Sequence, residues 1–343
     1  MAELAEQKTS GAVDGTGGTG GTEGVADTTD RSVSLLSNGD GSRERVLRSI
    51  EELGLGQNLA DLEVQGFTVV PDVLSKDQID RAVSAILAYV ERNDGKKLSL
   101  DRAVGSEFNG MMYQHYLLFE DDVFPEILLE PKPLALMNYL LGESCVLSSM
   151  GSHLRGPGGL PLAFHADGPA MGMNEVAQVA NCNYALTPYS ASKGALTLIP
   201  NSHRLNRQPN LHENWRADGQ PIAKIMQAGL QPEEIDELEW APPRGAVTLD
   251  VNPGDAVIWH GNTWHGGWRR DEPGLRVNLA AYFCRAHVAT QERRGDERHP
   301  DVFAKYADEP LFAKLMGRQL FNGWQEEGPD LSGATPAPRG PYD

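Results

Sequence analysis

Residues 162–168 read Leu162-Ala163-Phe164-His165-Ala166-Asp167-Gly168, an apolar run closing on a histidine and an acid two positions apart. In an extended strand the side chains at i and i+2 share a face, so His165 and Asp167 can converge on one ion while Ala166 turns away. Further along stands His265, and Arg276 follows it at 276 − 265 = 11 positions. An imidazole and a carboxylate from one segment, completed by an imidazole from a distant one, fill one face of an octahedron and leave the other open.

An HxD tripeptide by itself also fits a surface histidine and a turn aspartate, so its context carries weight. Gly194-Ala195-Leu196-Thr197-Leu198-Ile199-Pro200-Asn201-Ser202-His203 is an apolar strand closed by a turn, and Pro253-Gly254-Asp255-Ala256-Val257-Ile258-Trp259-His260 is a turn followed by an apolar strand. Gly266-Gly267 follows His265, and Arg276 heads Val277-Asn278-Leu279-Ala280-Ala281-Tyr282-Phe283. A guanidinium placed just before a buried apolar strand needs a carboxylate partner, which its fork meets bidentately. That partner is either an acidic neighbour or a ligand.

From about Gly66 to Ala286 these motifs, in this order, resemble the phytanoyl-CoA dioxygenase family of Fe(II)- and 2-oxoglutarate-dependent oxygenases. The family shows HxD, a GAL-x-x-(I/V)PGSH segment, a GD-x-hydrophobic strand, a distal histidine before small residues, and an arginine about eleven positions on. The resemblance implies a mainly β, α+β fold with flanking helices around a double-stranded β-helix of the jelly-roll, cupin-like kind. It implies Fe(II) on His165, Asp167 and His265, Arg276 on the distal carboxylate of 2-oxoglutarate, and O2 as the oxidant. Of the two distal histidines, His265 keeps the spacing to Arg276, whereas His260 ends an apolar strand and reads as a packed core residue.

The chain departs from the family at Pro200-Asn201-Ser202-His203, at Leu196 where some members carry Thr, and at the bulky Trp268. Asp167 disfavours halogenation, since related halogenases hold a small residue there. The expected reaction is hydroxylation of a small organic substrate with release of succinate and CO2. The alternatives are a different metal-dependent enzyme or an inactive ligand-binding domain on the same scaffold. Asn183, on a presumed core strand with Asn181, is a cofactor-binding candidate beside Arg276. Tyr113, His115, His153, Arg155 and Trp264 are substrate candidates, Arg155 because a cation near the metal suits an acidic substrate.

The remaining sequence sets bounds. Across 343 residues the net charge is −18, which argues against nucleic acid or an anionic membrane surface as partner and would repel a CoA thioester. Cys145, Cys182 and Cys284 show no CxxC spacing and sit in or beside apolar runs, as expected of reduced cysteines in a cytoplasmic protein. The opening residues Met1-Ala2-Glu3-Leu4-Ala5 lack a basic and apolar leader, and no long apolar run suggests a membrane span. A homodimer is compatible with all of this.

The expected organisation is a disordered segment over 1–42, an oxygenase domain over 43–327 and a loose tail over 328–343, the first aromatic being Phe67. Within the domain the β core spans about 145–286, an insertion about 204–244, and C-terminal helices about 300–324. Val46, Leu47, Ile50 and Leu53 form a helical stripe, Gly66 to Val70 a strand, and Ser75-Lys76-Asp77-Gln78 a capping box opening another helix. Pro133 to Leu141 reads as a helix, and strands are expected near 145–153, 176–186, 195–199, 247–251, 256–260 and 276–284.

Overall fold

The stripe on Val46 and Ile50 becomes α1 (Ser42–Glu52), with both residues buried. A second helix, α2 (Gly56–Gln65), follows it and is absent from the sequence reading: Leu55 stands at its N-cap with no side-chain hydrogen bond, and only Leu62 is buried within it. Gly66 ends α2 at φ 85°, where a Cβ would stand 2.4 Å from His203 Nδ1, so glycine is required there on both counts. The chain then enters β1 (Phe67–Val70) and α3 (Lys76–Asp94). The capping box is formed: Gln78 N–H donates to Ser75 Oγ at 3.2 Å and Ser75 N–H to Gln78 Oε1 at 2.9 Å.

This computed structural model describes residues 42–100, 110–168, 175–293 and 299–318, plus the backbone at 324–325 and 328–329. The expected disordered segment over 1–42 and the tail over 328–343 therefore fall outside the described residues, except for their innermost positions. After β2 (Met111–Gln114) come α4 (Val123–Leu128) and α5 (Pro131–Leu141), the latter beginning one proline earlier than expected. The unforeseen α4 is apolar nearly all round, with Val123, Phe124, Ile127 and Leu128 buried, so it has no amphipathic period to detect.

The β core comprises β3 (Val146–Arg155), β4 (Leu162–His165), β5 (Val179–Ala185) and β6 (Leu196–Leu198). An insertion of β7 (Arg216–Ala217), β8 (Gln220–Pro221), α6 (Ile222–Gln227), α7 (Pro232–Asp236) and β9 (Trp240–Ala241) follows. The core resumes with β10 (Val247–Thr248), β11 (Ala256–His260), β12 (His265–Gly267) and β13 (Asn278–Cys284). Two short helices, α8 (Pro300–Lys305) and α9 (Pro310–Leu315), stand where C-terminal helices were expected, and α9 buries Phe312 and Leu315. The insertion holds a small sheet, β8-β7-β9, as well as the helix expected near Pro232.

Two antiparallel sheets make a double-stranded β-helix with flanking helices. The larger runs β1-β11-β5-β13-β3-β2 and the smaller β10-β6-β12-β4. Ile86, Phe124, Leu136 and Met137 from the helices pack with Leu147, Cys182, Ile258 and Leu279 on one face of the larger sheet. The opposite face meets the smaller sheet through an apolar cluster that includes Phe67, Leu196, Leu198, Val257 and Trp259, with a cavity beside it. No helix among the described residues is long and apolar enough to cross a membrane.

Candidate metal centre

Strand β4 ends at His165, so Asp167 lies just past the strand and not within it. The turn joining β11 to β12 holds it in place: Asp167 N–H and Gly168 N–H both donate to Gly261 O, at 2.8 and 2.9 Å. A Cβ on Gly261 would stand 2.4 Å from Val179 O, so this turn approaches β5 too closely for any side chain. His265 opens β12 and pairs directly with His165 across the ladder. Their rings lie 4.3 Å apart.

Backbone carbonyls fix both imidazoles. His165 Nδ1 lies 2.9 Å from Ala163 O, and His265 Nδ1 lies 3.0 Å from Thr263 O. A carbonyl only accepts, so each Nδ1 carries the proton and each Nε2 is left with its lone pair. Those two Nε2 atoms sit 3.6 and 3.4 Å from Asp167 Oδ1 and Oδ2. The three ligand atoms lie within 4.8 Å of one another. Burial holds His265 well below the usual imidazole range, at about 4, against the opposing pull of the Asp167 carboxylate, so it is neutral at ordinary pH. Two imidazole donors and a carboxylate suit a divalent transition ion.

Asp167 is itself oriented. Its Oδ2 accepts from Asn181 Nδ2 at 2.7 Å and from Trp259 Nε1 at 3.1 Å, while Tyr282 Oη donates to its main-chain oxygen at 3.1 Å. Partners of this kind fix a ligand's rotamer.

The triad opens into a cavity of about 240 Å³. Arg276, just before β13, points into it and is 6 % exposed. Its Nη1 donates to Gly194 O at 2.8 Å and its Nη2 to His153 O at 3.2 Å, its guanidinium lies 5.2 Å from the Tyr189 ring centre, and its Nε has no partner. Among the described residues it makes no ion pair. Asn183 lines the same cavity; its Oδ1 accepts from Tyr189 Oη at 3.1 Å and from Asn278 Nδ2 at 3.0 Å.

Tyr113, His115, His153 and Arg155 also line the cavity. Tyr113 meets His153 edge-on at 4.4 Å, and burial, with Arg276 next in effect, pushes His153 down to about 3. Trp264 does not join them. It is buried among Phe164, Ala166 and Trp215, with its Nε1 donating to Arg207 O at 2.7 Å, because neighbouring strand positions face opposite ways and His265 takes the inward one. His260 is likewise remote, packed 5.5 Å from His203 with its Nδ1 accepting from Asn262 N–H at 3.0 Å.

Trp259, Tyr282 and Asn278 were not singled out in the sequence. A signal for the last two existed: with Arg276 inward, a period of two places Asn278, Ala280 and Tyr282 inward as well, and all line the cavity.

The family model for phytanoyl-CoA dioxygenase (PhyH) matches residues 62–271. The chain is 23 % identical over 234 residues to dioxygenase af480 of Aspergillus fumigatus, a match spanning 67 % of this chain and 66 %, just under two thirds, of the fungal protein. Among solved structures it is similar to the epimerase SnoN from nogalamycin biosynthesis in complex with Fe3+, alpha ketoglutarate and nogalamycin RO (TM-score 0.48, 21 % identity, covering 70 % of this chain and 87 % of that one). It is also similar to HygX from Streptomyces hygroscopicus with nickel, 2-oxoglutarate and hygromycin B bound (TM-score 0.49, 17 % identity, covering 70 % and 91 %).

Proposed function

The chain belongs to the phytanoyl-CoA dioxygenase family, and from that premise we propose that it is an Fe(II)- and 2-oxoglutarate-dependent dioxygenase that hydroxylates a C–H bond of a small organic substrate. The observation that carries this reading is the pairing, in one cavity, of a His165, Asp167, His265 face with a buried Arg276 that has no acidic partner among the described residues. A structural metal would have no need of such an arginine. The donors fit the ion, since both Nε2 atoms are free and aimed at the same place as Asp167.

His165, Asp167 and His265 would hold Fe(II), and Arg276 would receive the distal carboxylate of 2-oxoglutarate, with Asn183 beside it. Bound there, iron and 2-oxoglutarate supply oxidative chemistry with O2, yielding succinate and CO2. The chain's own share is placement. Asn181 and Trp259 hold the Asp167 carboxylate to one rotamer, and Asn278 keeps Asn183 in register by taking its Oδ1. Leu162, Leu196 and Trp268 contribute apolar wall that limits water near the reacting bond. His153 is neutral and can offer a hydrogen bond without adding charge. A cytoplasmic setting suits the three buried cysteines, none of which forms a disulfide.

The test is anaerobic titration of the Fe(II)-loaded protein with 2-oxoglutarate, watching for the weak visible charge-transfer band. A band in wild type that is lost in His265→Ala and shifted to higher 2-oxoglutarate concentration in Arg276→Gln is expected. Bound iron without a band would defeat the co-substrate assignment. Product mass gain of one oxygen distinguishes hydroxylation from other oxidative outcomes.

A further inference from the structure

Arg155 closes β3 directly opposite Arg276: Arg155 N–H donates to Arg276 O at 2.8 Å, and Arg276 N–H returns to Arg155 O at 2.9 Å. Residues that exchange both bonds stand side by side on one face of a sheet. The two arginines are 3 % and 6 % exposed and both line the cavity. Like charges placed this way repel, and burial removes the water that would screen them.

Neither arginine makes an ion pair among the described residues. Arg155 Nη2 donates to Leu160 O at 2.5 Å, its Nε has no partner, and Asp167 is the one carboxylate among the described residues lining the cavity. The arrangement is built in: Gly194, at φ 77°, packs against the Arg155 stem so closely that a Cβ would stand 3.0 Å from Arg155 Cγ, and the same glycine gives its carbonyl to Arg276. Burial and the neighbouring Arg276 bring Arg155 down to about 10, so it stays charged at neutral pH.

Charge decides what the cavity lacks. Resting on the oxygenase reading, a divalent ion, two guanidiniums and Asp167 leave three positive charges, and the 2-oxoglutarate dianion answers two of them. One buried cation remains. We propose that Arg155 is a specificity-determining residue that receives an anionic group, a carboxylate or its equivalent, on the primary substrate. The competing assignment gives Arg155 to 2-oxoglutarate together with Arg276, and the experiment separates the two.

Protein loaded with Ni(II) and 2-oxoglutarate is titrated calorimetrically with benzoate and with benzamide, which share a shape and differ in charge, in wild type, Arg155→Gln and Arg155→Lys. The affinity of each protein for 2-oxoglutarate is measured in parallel, and circular dichroism verifies folding. Wild type is expected to prefer benzoate by at least about tenfold, with the preference abolished in the Gln variant, partly kept in the Lys variant, and 2-oxoglutarate affinity within about threefold throughout. Equal binding of the two probes by wild type would overturn the proposal. So would a Gln variant that keeps the benzoate preference and loses 2-oxoglutarate instead. A wild type that takes up no 2-oxoglutarate yet prefers benzoate through Arg155 would retain the anion site and sink the oxygenase reading.

Discussion

Replacing Asn181 by Ala removes one of two donors on Asp167 Oδ2 and leaves all three metal ligands in the chain. The amide lies 2.7 Å from that oxygen and the Trp259 indole 3.1 Å, so Asn181 makes the shorter bond. A hydrogen bond to a charged acceptor contributes about 1.5–3 kcal/mol. Because Trp259 stays and partly restrains the carboxylate, the lower figure applies, and about 1.4 kcal/mol corresponds to a factor of ten. Two effects oppose each other. Loss of a donor makes the carboxylate a stronger electron donor to the metal, while loss of orientation frees it to rotate out of the face set by the two Nε2 atoms. Orientation should win, since outer-sphere substitutions weaken metal binding by about 10–100-fold. We expect about tenfold weaker Co(II) or Fe(II) binding for Asn181→Ala, and a larger loss when Trp259→Phe is added, measured by anaerobic competition with a chromophoric chelator. Affinity within about twofold of wild type in a variant of unchanged melting temperature would show that the Asn181 contact does not position Asp167.

Three further outcomes are expected. Arg276→Gln should raise the 2-oxoglutarate dissociation constant by at least about 30-fold, a charge-assisted pair being lost, while chelator competition shows metal affinity nearly unchanged. Gly266→Ala should lower the melting temperature and weaken metal binding together, because a Cβ there would stand 2.6 Å from Leu162 O and push β12 off β4 beside His265; a variant with wild-type stability would refute that packing argument. The metal-free protein should lose stability steeply as pH falls from about 6.5 toward about 4. Burial holds His153 at about 3 and His260 at about 4, so in that window the unfolded chain binds protons that the folded chain refuses. Each histidine then contributes up to about tenfold in the folding equilibrium per pH unit, and urea melts of His260→Asn should show a shallower pH dependence.

Much of the core was legible because its signals are local. Apolar runs mark β11 and β13, the former behind a Pro-Gly-Asp turn, and Ser75 with Gln78 marks the start of α3. The spacing of His265 and Arg276 identified two cavity residues through the resemblance. What escaped depends on burial or on chain segments meeting in space. Helix α4 is buried almost all round, so it carries no stripe, and α2 starts without a cap. Trp259 resembles any strand aromatic until its indole is seen to reach an aspartate 92 positions away. Trp264, a substrate candidate, neighbours His265 in the chain, and adjacent positions of extended backbone face opposite ways, so it packs among Phe164, Ala166 and Trp215. The two-residue argument for His165 and Asp167 reached the right neighbours for an incomplete reason, since Gly261, and not the strand, holds the acid.

Strand β13 and the residue pair before it set the length scale of the whole reaction chamber. Arg276, Asn278 and Tyr282 project from one side of it, touching in turn the Gly194 carbonyl, the Asn183 amide and the main chain of Asp167. From the first to the last is roughly 20 Å of extended chain at about 3.4 Å per residue. The strand acts as a ruler held between β3 and β5, so its graduations cannot be moved one at a time. A single inserted or deleted residue would turn Val277, Leu279, Ala281 and Phe283 into the chamber and every working group out of it. Change in such a protein is therefore confined to substitution along this strand, and new substrates must be accommodated at the borders, by β2, the loop after β3 and the insertion between β6 and β10.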